Sequence, residues 1–244
     1  MRKAVGGVAA VTALAVASLL TGCGGDAAST PDLPSVTTVA PPAPTDVSVL
    51  DSAALDAALL TADDLPVGFA ALPDPVADLG LPSASEDPEP DRSSTDPQRC
   101  ADVLAEIADQ VDGASARAVA RFTGPDFTSV DTDAAVYPDG AAGAAFTAVQ
   151  DTFTACGQYT GTDADGYAVQ YRLGGLDQPS VGDASVAVRL ETTSDGFTMT
   201  SDAVIAVVGP TLLQVVATGQ EPVDPAVLAE LARTAVDKLK QGSD

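Results

Sequence analysis

Four successive runs of strand-forming residues in the C-terminal half of the chain constrain its fold most strongly. The runs cover residues 167–173, 186–190, 197–208 and 211–218. The first two alternate apolar and polar residues, and the last two are rich in β-branched residues. Asp195-Gly196 and Gly209-Pro210 form short connections between the last three runs. Because successive strands with short connections pair antiparallel, the sequence predicts an antiparallel sheet.

Helical patterns precede, interrupt and follow these strands. The predicted helices cover residues 52–60, 96–111, 141–156 and 224–240, and two further short strands cover residues 116–122 and 134–137. The last helix has one apolar stripe, so we expect it to pack on the sheet. The predicted fold is therefore α+β: an antiparallel sheet with helices packed on one face, whose other face is free to form a groove.

The N-terminus has the layout of an export signal. Two basic residues precede an uncharged apolar stretch over residues 4–20, and small residues follow. Leu20-Thr21-Gly22-Cys23 resembles the bacterial lipobox, in which the cysteine receives diacylglycerol and acyl chains such as palmitate after cleavage just before it. The alternatives are a plain secretory signal and a retained helix. The lipobox register favours a lipoprotein signal peptide over residues 1–22 and a membrane anchor on Cys23.

Three cysteines in an exported chain would normally leave one thiol unpaired. Lipidation of Cys23 removes one of them from the count. Cys100 and Cys156 then form the pair that an oxidising compartment joins, so the sequence predicts one disulfide.

Two proline-rich segments divide the mature chain. Residues 23–49 contain prolines among Ser, Thr and Ala without any periodic pattern, which indicates a disordered tether after the lipidated cysteine. Residues 72–97 mix prolines with acidic residues and predict a long exposed acidic loop. The remainder is the size of one domain, which we place at residues 50–244.

Composition excludes several classes of function. The net charge of -24 repels nucleic acid, so no nucleic-acid partner is expected. The chain has no histidine, which removes the usual general base of a serine or cysteine hydrolase and the commonest metal ligand. Asp163-Ala164-Asp165-Gly166 has part of a calcium-loop pattern, and Asp131, Asp133 and Asp139 are further oxygen donors, but turn roles are favoured for all of them.

Short motifs spread along the predicted domain point to one family of extracellular domains. They are Leu60-Thr61-Ala62-Asp63-Asp64-Leu65-Pro66, the two mid-domain cysteines, Val181-Gly182-Asp183-Ala184-Ser185 and the closing helix from Asp224 to Lys240. Together they resemble the PknH-like extracellular sensor domain of mycobacterial receptor serine/threonine kinases, over about residues 50–242. The resemblance implies a mixed α/β fold with a ligand cleft and no catalysis, in a family that also occurs as stand-alone lipoproteins.

The chain departs from this family in two respects. Members often carry two disulfides and a Trp shortly before a cysteine, whereas this chain has cysteines for one bridge and Phe153 three residues before Cys156. No binding residue carries over from the family. Tyr167, Tyr171 and Phe197 are our candidates for ligand binding, because aromatic side chains on an uncovered sheet face can line a groove; core packing is the alternative.

We therefore expect a lipid-anchored protein on the extracytoplasmic face of the cell membrane. Its sensor-like domain would bind a small molecule or an envelope protein, without a cofactor, a metal or catalytic residues. Two other classes stay open: an envelope glycan hydrolase acting through paired carboxylates, and a structural or accessory protein of an envelope assembly.

Overall fold

The computed structural model describes residues 32–43, 49–72 and 92–242. The chain divides into two units, Met1–Asp32 and Leu33–Asp244, and the described residues belong to the second unit except for Asp32. The signal peptide, Cys23 and most of the acidic loop expected at residues 72–97 lie outside the described residues. The lipid anchor therefore stays a prediction.

In the described part of the chain, nine strands form one sheet in the order β1-β3-β4-β9-β8-β7-β6-β5-β2, with all neighbours antiparallel. The strands are β1 Ala70–Ala71, β2 Ser94–Asp96, β3 Ala116–Thr123, β4 Ser129–Val136, β5 Gln158–Thr162, β6 Ala168–Gly175, β7 Ala184–Ser194, β8 Phe197–Val208 and β9 Thr211–Gly219. The four runs predicted after residue 166 are confirmed as β6 to β9. At the β7–β8 turn, Asp195 and Gly196 have φ of 49° and 81°, the left-handed pair that a two-residue hairpin requires.

The last helix packs against one face of this sheet through the apolar stripe predicted for it. The helices are α1 Ser52–Ala57, α2 Ile107–Gln110, α3 Ala142–Ala155 and α4 Pro225–Gly242, with 3-10 turns at Ala62–Asp64, Gln98–Cys100 and Pro125–Phe127. Val204 and Ala206 of β8 pack with Leu228 and Leu231 of α4 in one apolar cluster, to which α1 contributes Leu55. We call this side of the sheet the terminal-helix face.

The opposite face is covered as well. Ala203, Ile205 and Val207 of β8 form a second cluster with Phe146 and Phe153 of α3. We call this side the disulfide face. The α+β class and the antiparallel sheet are confirmed, but the expectation that helices pack on one face only is wrong. The physical reason is visible in β8 and β9, whose consecutive positions are apolar, as in strands that are buried on both sides.

The predicted disulfide joins Cys100 and Cys156, whose Cα atoms lie 5.7 Å apart. It connects the 3-10 turn Gln98–Cys100 to the end of α3. The single helix expected over residues 96–111 is wrong, because Leu104 adopts a φ of 59° and interrupts it. The chain re-enters a helix only at α2, where the carboxylate of Asp133 accepts a hydrogen bond of 2.7 Å from the Ile107 N–H.

Part of the segment expected to be a disordered tether lies against the domain. Residues 33–43, which we call the strap, have no helix or strand but are held by hydrogen bonds. The Gly175 N–H donates to the Pro34 carbonyl at 2.7 Å. The side-chain amide of Gln150 accepts from the Val39 N–H at 2.6 Å and donates to the Val39 carbonyl at 3.0 Å. The structure departs from the expectation here because a buried glutamine satisfies the backbone of the strap.

Candidate functional site

A cavity of about 480 Å³ opens beside the start of α4, on the terminal-helix face. We call it the Phe69 cavity. Its apolar wall consists of Phe69, Val130, Ala217, Val223 and Val227. These residues come from four separate parts of the chain, and each also contacts or belongs to the apolar cluster of that face. The volume lies within the range of small-molecule sites.

The Phe69 side chain is positioned by a close approach to Gly124. A Cβ at Gly124 would lie 2.6 Å from the Phe69 ring and 2.6 Å from the Thr128 hydroxyl oxygen. No side chain fits there without moving one of these neighbours. Glycine therefore lets the ring lie against the backbone between β3 and β4 and complete the wall of the cavity.

Strained backbone forms one rim of the Phe69 cavity. In the 3-10 turn Pro125–Phe127, Asp126 and Phe127 have φ of 54° and 59°, a conformation that non-glycine residues adopt at a cost of about 1–3 kcal/mol. Asp126 lines the cavity, while the Phe127 side chain is 85% exposed. The Phe127 side chain itself is not among the residues that line the cavity.

The charged side chains that line the Phe69 cavity are all acidic. Asp126, Glu221 and Asp224 line it, and no lysine or arginine is among its described lining residues. The Asp224 carboxylate also accepts a hydrogen bond of 2.9 Å from the Ala226 N–H at the start of α4. Carboxylates repel phosphates, sulfates and carboxylates, so the arrangement suits an apolar molecule with uncharged or cationic polar groups.

The sequence-predicted candidates do not line this cavity. Tyr167 and Phe197 are 62% and 74% exposed. The Tyr171 ring stacks on Tyr159, with centroids 4.4 Å apart and an angle of 10° between the planes. Burial, with a contribution from Asp163, raises the pKa of Tyr171. Their role in ligand binding stays a prediction, and the structure points instead to Phe69 and its neighbours, which no periodic pattern in the sequence marks.

Asp163 serves the turn before β6. Its carboxylate accepts hydrogen bonds from the backbone N–H groups of Asp165 and Tyr167, at 3.1 and 2.8 Å. This confirms the interpretation of the calcium-like motif as turn chemistry. Within the described residues, no group of three acidic or cysteine side chains is arranged to hold a metal ion.

Among the described residues, the carboxyl group whose pKa is raised most lies on the disulfide face. Asp133 is 5% exposed and accepts hydrogen bonds from the Ile107 N–H and, at 2.9 Å, from the Gln214 side chain. Burial raises the pKa of Asp133 to about 7, with these hydrogen bonds opposing the rise and nearby Glu106 and Asp131 adding to it. Asp133 does not line the Phe69 cavity. Asp131 and Asp133 lie within β4, so the turn roles expected for them are wrong. The contacts of Asp133 assign it to holding α2 on the sheet.

Comparison with known proteins gives one family and one fold. The profile of the PknH-like extracellular domain matches residues 50–238. The solved extracellular domain of PknH from Mycobacterium tuberculosis aligns with a TM-score of 0.53 and 16% identity, over 80% of this chain and 98% of that one. An uncharacterized protein from Mycobacterium smegmatis aligns over the same shares with 16% identity and a TM-score of 0.42. No curated protein matches the chain.

Proposed function

This chain belongs to the PknH-like extracellular domain family, and from that premise we propose that it is a lipid-anchored, sensor-like protein of the cell envelope. We propose that its domain binds an apolar molecule with uncharged or cationic polar groups. The observation that carries this proposal is the Phe69 cavity, an apolar volume of about 480 Å³ with an acidic lining.

The site has the physical properties of a ligand site. The cavity leaves apolar side chains without neighbours on one side, and burial of their surface favours a ligand by about 25 cal/mol per Å² of apolar area removed from water. The strained turn at Asp126 and Phe127 contributes the Asp126 side chain to the acidic lining.

The binding proposal is tested with two related dyes, neutral N-phenylnaphthylamine and anionic anilinonaphthalene sulfonate. We expect the neutral dye to bind the exported protein with a rise in fluorescence and the anionic dye to bind at least about tenfold more weakly. Val223→Asp places a charge in the apolar wall and should abolish binding of the neutral dye. Val67→Asp is the matched control, because Val67 is fully exposed and lines no part of the cavity.

Two results would contradict this site. One is equal binding of the neutral dye by the Val223→Asp and Val67→Asp proteins. The other is binding of the anionic dye as tight as that of the neutral one.

The anchor is proposed on the sequence of the N-terminus. Leu20-Thr21-Gly22-Cys23 supports lipidation of Cys23 after export. Within the described ranges, no helix has the length and hydrophobicity that a membrane span needs. Cys23→Ala should release the protein from the membrane fraction, as measured by fractionation and immunoblotting. Retention of the Cys23→Ala protein on membranes would instead indicate that residues 4–20 stay in place as a helix.

A further inference from the structure

The strap, residues 33–43, lies in a groove between α3 and the C-terminal end of β6. Gln150 of α3 and the pair Gly174-Gly175 of β6 contact the strap there, and we call this the strap groove. Val36 of the strap packs against the apolar cluster of the disulfide face. None of these residues lines the Phe69 cavity. The strap groove is therefore a separate site, and its occupant is a stretch of polypeptide.

Gln150 binds the strap as a neighbouring strand would. Its side-chain oxygen accepts from the Val39 N–H at 2.6 Å, and its side-chain nitrogen donates to the Val39 carbonyl at 3.0 Å. This N–H and this C=O belong to two successive peptide groups, which an extended residue turns to the same side. Gln150 is 2% exposed, and its nitrogen also donates to the Phe146 carbonyl at 3.3 Å, which fixes the carboxamide. Gln150 thus recognises extended main chain.

Gly174 and Gly175 bring the strap to an edge of β6. β5 pairs with this edge from Ala168 to Arg172, and further along the Gly175 N–H donates to the Pro34 carbonyl at 2.7 Å. A Cβ on Gly174 would lie 2.6 Å from the Pro34 carbonyl oxygen. Because neither glycine has a side chain, a second main chain can approach the strand edge, which is how sheets bind extended peptides.

The strap fits its groove loosely. Its residues are exposed or half-buried, and none of them is fully buried. A cavity of about 350 Å³ remains between the strap and the connection from β6 to β7. A segment that buries little surface opens at a lower free-energy cost than the sheet on which it lies. The strap can therefore leave the groove while the domain stays folded.

The strap also shows which chemistry the groove accepts. Residues 33–43 carry no charged side chain, and their three prolines restrict the backbone before it docks. Asp177 lines the remaining cavity, whose described lining contains no basic side chain, so an acidic segment is disfavoured. The groove suits an uncharged extended segment with an aliphatic side chain at the position of Val36.

We propose that the strap groove is a binding site for an extended, uncharged segment of another protein, and that the strap is an internal ligand that competes for it. The net charge of -24 opposes close approach of a second copy of this chain, which favours a different protein as the partner. Since the strap is covalently attached, its effective concentration is on the order of millimolar, and the partner binds only by displacing it.

The test uses the exported Cys23→Ala protein and a fluorescent peptide with the sequence of residues 33–43 and blocked ends. In the protein, Val36→Asp with Val39→Asp places two charges where the strap contacts the domain and should release it. Thr38→Asp with Ala40→Asp is the matched control, because these exposed residues do not line the cavity beneath the strap.

We expect saturable binding of the peptide, measured by fluorescence anisotropy. The released-strap protein should bind it at least about tenfold more tightly than the wild-type or the control protein, in which the attached strap competes. A second peptide, N-methylated at the residue that corresponds to Val39, lacks the N–H that donates to Gln150. It should bind the released-strap protein at least about tenfold more weakly.

A change in the groove itself locates the site. In the released-strap protein, Gln150→Ala should weaken binding of the peptide at least about tenfold, whereas Gln170→Ala, at an exposed position of β6, should not alter it. Circular dichroism checks that each variant is folded. If Gln150→Ala unfolds the domain, the comparison of the two peptides still tests the proposal, because it leaves the protein unchanged.

Three results would overturn the proposal. They are no saturable binding to the released-strap protein, equal binding by the released-strap and control proteins, and equal binding of the methylated and unmethylated peptides. Light scattering tests the choice of partner. A wild-type dimer that is lost in the released-strap protein would assign the groove to the strap of a second copy and overturn that choice.

Discussion

Asp202 and Asp133 are buried on opposite faces of the same sheet, and their surroundings differ sharply. Asp202, on the terminal-helix face, is 1% exposed and bonded to the Arg189 guanidinium through two contacts of 2.6 and 2.7 Å. Asp133, on the disulfide face, is 5% exposed and receives hydrogen bonds from a backbone N–H and a neutral amide. Hydrogen bonding to Asp202 raises the pKa of Arg189, and burial raises that of Asp133 to about 7.

The difference shows that burial alone does not determine how a carboxylate behaves. A guanidinium at bidentate distance compensates the charge of a buried carboxylate. Neutral donors compensate it less, so most of the free-energy cost of removing the charge from water remains. The terminal-helix face thus contains an ion pair, and the disulfide face contains a carboxyl group that titrates near neutral pH. Four changes test this contrast.

Removal of the partner on the terminal-helix face should have the largest effect. Arg189→Met leaves the Asp202 carboxylate buried without its ion pair, and we expect the free energy of unfolding to fall by about 3 kcal/mol. The double change Arg189→Met and Asp202→Leu removes both charges and should recover most of that loss. Urea unfolding of the three proteins measures both quantities. A double variant as unstable as the single one would show that the ion pair is not the cause.

A rise in pH should lower the free energy of unfolding by about 2 kcal/mol through Asp133 on the disulfide face. The folded-state pKa of Asp133 is raised from 3.8 to about 7, so its contribution to stability is complete below pH 3.8 and is lost as pH rises through 7. By linkage, the free energy of unfolding falls by about 2 kcal/mol between pH 5 and pH 8. Asp133→Asn should remove this dependence, while Asp202→Asn should lower stability and retain it. Parallel pH profiles for wild type and Asp133→Asn would refute the assignment.

The amide donor to Asp133 should have a smaller effect that itself depends on pH. Gln214 donates to the Asp133 carboxylate and to the Ala105 carbonyl, at 2.9 and 3.0 Å. Gln214→Leu removes a hydrogen bond to a charged group at pH 8, which costs about 1.5 kcal/mol, and to a neutral one at pH 5, which costs less. Denaturant midpoints at the two pH values measure the difference. A cost that is larger at pH 5 would contradict the charge state that we assign.

An exposed ion pair on the disulfide face should contribute least. Arg117 lies 3.3 Å from Asp109, and their side chains are 62% and 56% exposed. Arg117→Ala should change the free energy of unfolding by less than about 0.5 kcal/mol, and added salt should reduce even that. Thermal unfolding at low and high ionic strength checks it. A loss comparable to that of Arg189→Met would mean that exposure does not separate the two pairs.

The same two carboxylates show which parts of the structure a sequence can predict. The Asp195-Gly196 turn fixes the register of β7 and β8, and that register places Arg189 opposite Asp202. The local sequence of the turn therefore predicts which residues form this ion pair. Asp133 faces Gln214 across β4 and β9, which are far apart in the sequence, and no local pattern encodes that pairing.

The candidate sites are hard to predict from the sequence for the same reason, because residues far apart in the chain meet there. The strand and helix periods of β6 to β9, α3 and α4 predict the class of fold and most of its core. The Phe69 cavity is lined by side chains from turns and strand ends, where the sequence has no periodic pattern. The strap resembles a disordered tether in composition, and only the buried amide of Gln150, more than a hundred residues away in sequence, fixes it on the domain.

The strap also determines how far the domain can move from its attachment. If Cys23 carries the lipid, ten peptide steps separate it from Leu33, which allows a reach of about 35 Å, against about 95 Å for a free tether ending at residue 50. The volume that the domain can search is then about twentyfold smaller, and its effective concentration toward anything else fixed at the bilayer surface is about twentyfold higher. Release of the strap would reverse that change without altering the lipid or the fold.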